Sequence, residues 1–163
     1  MKVVADTNVL ISGLLTPHGP PAEIVRMVLN GNLRVCYDLR ILDEYREVFA
    51  RPKFDISHGL SANLLEQIRA SGESANTQPL SQPLLDPSDE AFLETAISGG
   101  ADCLITGNLK HFPPSCRQGM RVLSPREFLE FYRDWQANGS GKIQSPSVEY
   151  RLRKGGKRRR SRH

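Results

Sequence analysis

Three carboxylates and one amide stand at positions from which they could hold a metal ion. Asp6 ends a β-branched apolar run, Asn108 follows a second apolar run, Asp89 lies in the first turn of a predicted helix, and Glu44 lies within another. Carboxylates gathered in one cleft raise one another's pKa, so folding would not assemble them without compensation. Mg²⁺ or Mn²⁺ would supply the compensating positive charge, because these ions prefer carboxylate oxygens as ligands. Such an ion can also activate water and offset charge on a leaving oxygen.

Each of these residues also has an ordinary structural explanation. Asp6 can cap the following helix, and Asp86 can be an N-cap with Asp89 as the reciprocal member of a capping box. Glu44 can be a solvated helix residue paired with a neighbouring base, and Asn108 a turn residue. Singly, each position is better explained this way, but the four together favour a cation site. The sequence contains no nucleophile elbow, phosphate-cradling loop or metalloprotease helix that would indicate another kind of catalytic site.

Histidine and cysteine do not extend this set. The four histidines have no metal-ligand spacing. His111 follows Asn108 closely enough to approach a substrate phosphate, although an ordinary surface histidine is the better interpretation. The cysteines are odd in number with no close pair, which argues against a disulfide framework or a thiolate zinc site and indicates a reducing cytoplasm. They are Cys36, Cys103 and Cys116.

The predicted elements that must position the site alternate between strands and helices. Alternation favours a parallel sheet covered on both faces, and ligands bind such sheets beyond the carboxyl ends of the strands, where strand order reverses. Strands are predicted over 2–6, 33–37, 102–106 and 121–123, with one poor strand near 77–80. Helices are predicted over 9–15, 21–30, 39–50, 60–72, 86–98 and 125–136.

Composition suits one globular domain followed by a different kind of segment. The 163 residues are 39% hydrophobic and 25% charged, which excludes wholesale disorder, and no apolar run approaches the roughly 18 residues of a membrane helix. The net charge of +4 divides unevenly, because 139–163 carries nine basic residues against one acidic residue, a charge of +8. The body, 1–138, therefore carries −4. We predict a folded domain over 1–138 and a basic, disordered tail over 139–163.

The tail has the composition of a phosphate-binding arm. It would offset repulsion between the acidic body and a nucleic acid, without reading bases. A solubilising extension, or an arm that binds an acidic partner protein or a ribosome, is the alternative. The residues predicted to contact phosphates are Lys154, Lys157, Arg158, Arg159 and Arg160.

Four segments resemble, in order and at suitable spacing, the acidic motifs of the PIN domain family, in the branch that holds toxins of toxin–antitoxin pairs. The resemblance runs from about residue 2 to residue 133, and the combination is specific where the opening Asp-Thr-Asn alone would be weak. The segments are 4–10 (VADTNVL), 42–45 with 51–54 (LDEY and RPKF), 86–96 (DPSDEAFLETA) and 101–108 (ADCLITGN).

The resemblance implies a three-layer α/β/α sandwich with a central parallel sheet of about four to five strands. It also implies a Mg²⁺- or Mn²⁺-dependent endoribonuclease that cuts single-stranded RNA, often a homodimer, with an antitoxin as a possible partner. By position, Asp6, Glu44 and Asp89 would be the metal-site and catalytic acids. Asn8 and Thr106 would be neutral companions that hold carboxylates or water.

One position departs from the family pattern, because the family often carries an aspartate where this chain has Asn108. An amide oxygen can still ligate a cation, but it brings no charge, which predicts poor binding of a second ion. Cleavage with one ion, by in-line attack of a water that Asp6 or Asp89 orients, stays open. The alternatives are a catalytically weakened PIN scaffold that binds RNA or a partner protein, and a phosphatase or DNA nuclease using the same acids.

Overall fold

The structure, a computed structural model, describes residues 1–139. Residues 1–129 form one compact unit, and the described part of a second unit begins at Glu130. The predicted tail therefore lies outside the described residues, apart from Gly139. Within residues 1–139, no helix is long and apolar enough to cross a membrane.

A five-stranded, all-parallel sheet forms the centre of a three-layer α/β/α fold, as predicted. Its strand order is β3-β2-β1-β4-β5. The strands are β1 (Lys2–Ala5), β2 (Arg34–Tyr37), β3 (Glu73–Ser74), β4 (Cys103–Ile105) and β5 (Val122–Leu123). The helices are α1 (Thr7–Leu15), α2 (Pro20–Leu29), α3 (Leu39–Phe49), α4 (His58–Ser71), α5 (Pro87–Ser98) and α6 (Pro125–Ala137).

The two central strands are apolar on both faces because helices cover both sides of the sheet. Val3, Val4 and Ala5 of β1 have no exposed surface, and the same holds for all three residues of β4. Continuous apolar runs of this kind are typical of parallel sheets. The burial of these strands fixes their carboxyl ends, from which the candidate site residues emerge.

The poor strand predicted near 77–80 is wrong, because β3 lies earlier in the chain, at Glu73–Ser74. The ladder cannot continue into 77–80, since the Gln78 amide donates to Ser98 Oγ and Pro79 has no N–H. Gly72 allows β3 to begin where it does. A Cβ there would lie 2.4 Å from the Val35 carbonyl oxygen of β2, a separation that no side chain tolerates.

Candidate metal centre

Asp6 and Thr106 meet where the strand order of the sheet reverses. Ala5 at the end of β1 pairs in register with Ile105 at the end of β4, so the next residue of each strand lies beside the other. Thr106 Oγ1 donates to Asp6 Oδ2 at 2.8 Å, and both side chains are buried. Asp6 occupies the N-cap position of α1, but its side chain makes no capping hydrogen bond with the helix. The Asp6 carboxylate is therefore oriented by Thr106 instead of being used as a cap.

Glu44 is brought to the same end of β1 by the residue that follows it. The Tyr45 side chain is fully buried, and its hydroxyl donates to the Ala5 carbonyl oxygen. Burial, followed by the negative charges of Asp6 and Glu44, raises the pKa of Tyr45 well above its ordinary value. The Glu44 carboxylate accepts a hydrogen bond from Thr7 Oγ1. Glu44 is thus half-buried beside the start of α1. Within residues 1–139 it forms no ion pair with a basic side chain.

Asp89 enters the site from the first turn of α5. Asp86 caps this helix, with its Oδ1 accepting from the Ser88 amide at 2.9 Å, and Pro87 occupies the first turn. The proposed capping box does not form, because the Asp89 side chain is buried and its Oδ2 lies 3.0 Å from His111 Nδ1. A carboxylate in the first turn also interacts favourably with the helix dipole.

The three carboxylates are linked electrostatically. Burial raises the pKa of Asp6; the hydrogen bond from Thr106 opposes this rise, and the negative charge of Asp89 adds to it. Burial likewise raises the pKa of Asp89, with His111 opposing and Asp86 and Glu44 adding to the rise. Asp6 and Asp89 are therefore harder to ionise than aspartates in water, and a bound cation would offset this cost.

Asn108 and His111 complete the arrangement on the β4 side. The Asn108 backbone amide donates to Thr106 Oγ1 at 3.0 Å, and Asn108 Nδ2 lies 2.8 Å from His111 Nε2. His111 therefore contacts Asn108 with one ring nitrogen and Asp89 with the other. The His111 side chain is 45% exposed, as expected of a surface histidine, but its ring contacts two residues of the candidate site. The three-residue spacing in a short turn is the sequence signal that could have indicated this pairing.

Asn8 supports the site from the opposite side of the same turn. Its Oδ1 accepts from the Gly107 amide at 3.2 Å, which ties the start of α1 to the segment after β4. A Cβ at residue 107 would lie 3.3 Å from this oxygen, so glycine permits the close approach. The Asn8 side chain accepts a hydrogen bond from a backbone amide here, and among the described contacts it touches no carboxylate.

An ion pair holds together the two helices that carry Glu44 and Asp89. Arg40 of α3 contacts Glu94 of α5 at 2.8 Å and the helix-capping Asp38 at 2.6 Å. A pocket of about 230 Å³ opens between these helices beside Glu44, with Phe92 in its lining. This volume is below the roughly 300 Å³ at which enclosing ligand pockets usually begin.

The residues present fit a hard divalent cation at this place. Asp89 Oδ2 is buried, and its one described polar neighbour, His111 Nδ1 at 3.0 Å, does not have hydrogen-bond geometry, so the oxygen keeps a lone pair for a ligand. Among residues 1–139, however, no group of three or more His, Cys, Asp or Glu side chains is close enough to hold an ion as it stands. Mg²⁺ is commonly held by only one or two carboxylates together with substrate phosphate and water, which suits Asp6 and Asp89.

Most of the compact unit matches a known family. The family model described as PIN domain matches residues 2–110, well over half of the 163 residues. No curated protein sequence matches the chain. Proteins with this domain are generally nucleases, act on RNA and typically use divalent metals. The matched segment includes Asp6, Glu44, Asp89 and Asn108, and the chain belongs to the PIN domain family.

Proposed function

We propose that this protein is a metal-dependent endoribonuclease that hydrolyses phosphodiester bonds of single-stranded RNA. The observation that carries the proposal is the pair of buried carboxylates formed by Asp6, at the carboxyl end of β1, and Asp89, in the first turn of α5. Burial raises the pKa of both carboxyls, the charge of Asp89 adds to the rise at Asp6, and a bound cation would compensate this cost. Membership in a family of nucleases supports the same conclusion.

Asp6, Glu44 and Asp89 would hold the cation, and the Asn108 amide oxygen would be a neutral fourth ligand. A bound Mg²⁺ or Mn²⁺ would activate water and offset charge on the leaving oxygen. The chain's own residues supply orientation: Thr106 fixes the Asp6 carboxylate, and Thr7 fixes that of Glu44. Asp6 or Asp89 would accept the proton of the attacking water.

RNA binding would depend on the tail as well as on the site. Residues 1–138 carry a net charge of −4 and would repel RNA, whereas 139–163 carries +8. We propose that Lys154, Lys157 and the arginines Arg158, Arg159 and Arg160 bind phosphates and raise the local concentration of substrate. The shallow pocket beside Glu44 is compatible with a strand that crosses the surface.

Cleavage of a mixed single-stranded RNA in the presence of Mg²⁺, Mn²⁺ or EDTA tests the proposal. We expect cutting with either ion, none with EDTA, and a loss of at least 100-fold in Asp6→Asn and Asp89→Asn, since one carboxylate ligand is removed from each. Asp43→Asn is the matched control, because Asp43 is an exposed acid next to Glu44 and pairs only with Arg46 in the described contacts. Unchanged cutting by Asp6→Asn would refute the assignment.

A weakened scaffold that binds RNA or a partner protein without cutting is a second candidate. The neutral Asn108 and the absence of a tight acidic trio in residues 1–139 favour it. Titration with Mn²⁺ separates the two functions, since the scaffold would bind RNA without binding the ion. A role as the toxin of a toxin–antitoxin pair, and a homodimeric state, follow from the sequence resemblance. Co-purification with a neighbouring gene product and the measured mass in solution would test them.

A further inference from the structure

His111 has a place in the site that neither the acidic motifs nor the proposed chemistry assigns. It lies in a 3₁₀ turn, Leu109–His111, in which residues three apart share a face, and its backbone amide donates to the Asn108 carbonyl oxygen at 3.2 Å. The next residue, Phe112, is fully buried, and Arg117 Nε donates to its carbonyl oxygen at 2.7 Å. The turn is therefore anchored, and the His111 ring is held over Asn108 although its side chain is 45% exposed.

The His111 ring lies between two residues of the candidate site. Its Nδ1 is 3.0 Å from Asp89 Oδ2, and its Nε2 is 2.8 Å from Asn108 Nδ2. Because the imidazole ring is rigid, these two contacts together fix the placement of the Asp89 carboxylate relative to the Asn108 amide.

We infer that His111 is a positioning residue: its ring, held between the Asp89 carboxylate and the Asn108 amide, orients both side chains for one divalent cation. The inference rests on the proposed function of the site. The contacts run without a break from Asp6 through Thr106, Asn108 and His111 to Asp89, so His111 joins the β4 side of the site to α5. Partners of this kind, one step removed from the ion, commonly change metal affinity by about 10–100-fold.

Calorimetric titration of the full-length protein with Mn²⁺ tests the inference without reference to cleavage. We expect His111→Ala to weaken Mn²⁺ binding about 10–100-fold. His111→Asn, whose amide nitrogen can replace Nδ1 as the donor to Asp89, should recover part of the loss. His18→Ala is the matched control, because His18 is an exposed histidine in the turn before α2. Thermal unfolding of each variant would show that it folds, which the exposure of His111 leads us to expect.

Wild-type Mn²⁺ affinity in His111→Ala would overturn the inference. Tighter binding by His111→Ala would overturn it too, because His111 would then compete with the ion. Failure of the wild type to bind Mn²⁺ would refute the proposed function together with this inference. Binding by the wild type with no loss in His111→Ala would refute this inference alone, so the two failures are distinguishable.

Discussion

Replacing Asp6 with asparagine tests whether its buried charge is there to bind a cation. Asp6 is only 7% exposed, and its Oδ2 accepts one hydrogen bond from Thr106. Asparagine has the same shape, and its amide oxygen can accept that bond, so the main change is the loss of the charge; the interactions with the Asn8 and Thr7 backbone amides, which affect the Asp6 carboxyl less than burial does, also change. Without divalent ions at neutral pH, we therefore expect Asp6→Asn to be more stable to unfolding than the wild type.

The sign of the pH dependence follows from the raised pKa of Asp6. Its causes are burial first and the charge of Asp89 in addition, with the Thr106 hydrogen bond opposing. Below the unfolded value of 3.8 the carboxyl is protonated in both states, and the wild type has no penalty. As the pH rises through 3.8 and then through the folded pKa, the wild type loses stability, by about 1.4 kcal/mol for each unit of separation. The asparagine side chain does not titrate in this pH range. The difference in the free energy of unfolding between the two proteins should therefore grow as the pH rises from 3.8 to the folded pKa and then stay constant.

Adding Mn²⁺ should reverse the order of stability, so that the wild type becomes more stable than Asp6→Asn. A ligand at about 100 times its Kd stabilises the folded state by roughly 2.7 kcal/mol. For a domain of this size that corresponds to a rise in Tm of about 10 °C. We expect this rise with Mn²⁺ in the wild type and a much smaller rise in Asp6→Asn. Urea unfolding and scanning calorimetry from pH 4 to 8, with EDTA or Mn²⁺, give both quantities.

Two results would refute the reasoning. If Asp6→Asn is less stable than the wild type in EDTA at pH 7, the carboxylate stabilises the fold and its charge carries no penalty. If Mn²⁺ raises the Tm of both proteins equally, the ion binds away from Asp6. Asp43→Asn controls for the loss of a negative charge, since Asp43 is 74% exposed and should respond to Mn²⁺ as the wild type does.

Three further predictions concern the supports of the site and the tail. Tyr45→Phe should cost about 1–3 kcal/mol in urea unfolding, because it leaves the buried Ala5 carbonyl without its donor; an unchanged midpoint would show that the carbonyl finds another partner. Asp86→Ala should cost about 0.5–2 kcal/mol through the lost cap of α5, measured in the same way, whereas Asp86→Ser should cost less. Removing 139–163 should flatten the salt dependence of RNA binding by about 0.7 in log–log slope for each lost phosphate contact; an equal slope would exclude direct contact.

The sequence was sufficient to predict the sheet and most helices because their patterns are strong. The apolar runs of β1 and β4 and the periodic stripe of α3 have few alternative interpretations. β3 was misplaced because it is a two-residue strand at the edge of the sheet, set by Gly72 and its close approach to β2. A pattern of side-chain types contains no information about such a backbone contact.

The candidate site was predictable in its members but not in its connections. The rule that ligands bind beyond the carboxyl ends of parallel strands selects Asp6 and Asn108 directly. The role of His111 could not be obtained in this way, because it depends on a 3₁₀ turn and on the approach of α5 from a distant part of the chain. Thr7 was likewise missed as the donor to Glu44, since this contact joins α1 to α3.

The pairing of β1 with β4 has a consequence for the order in which the protein is made. Asp6 is synthesised a hundred residues before its partner Thr106, yet β4 lies next to β1 in the finished sheet. A ribosome-bound chain that ends before β4 therefore has the first carboxylate without the hydroxyl that orients it. For a protein that would degrade RNA, assembly of the site waits until most of the domain has been translated, and truncated products lack the completed site.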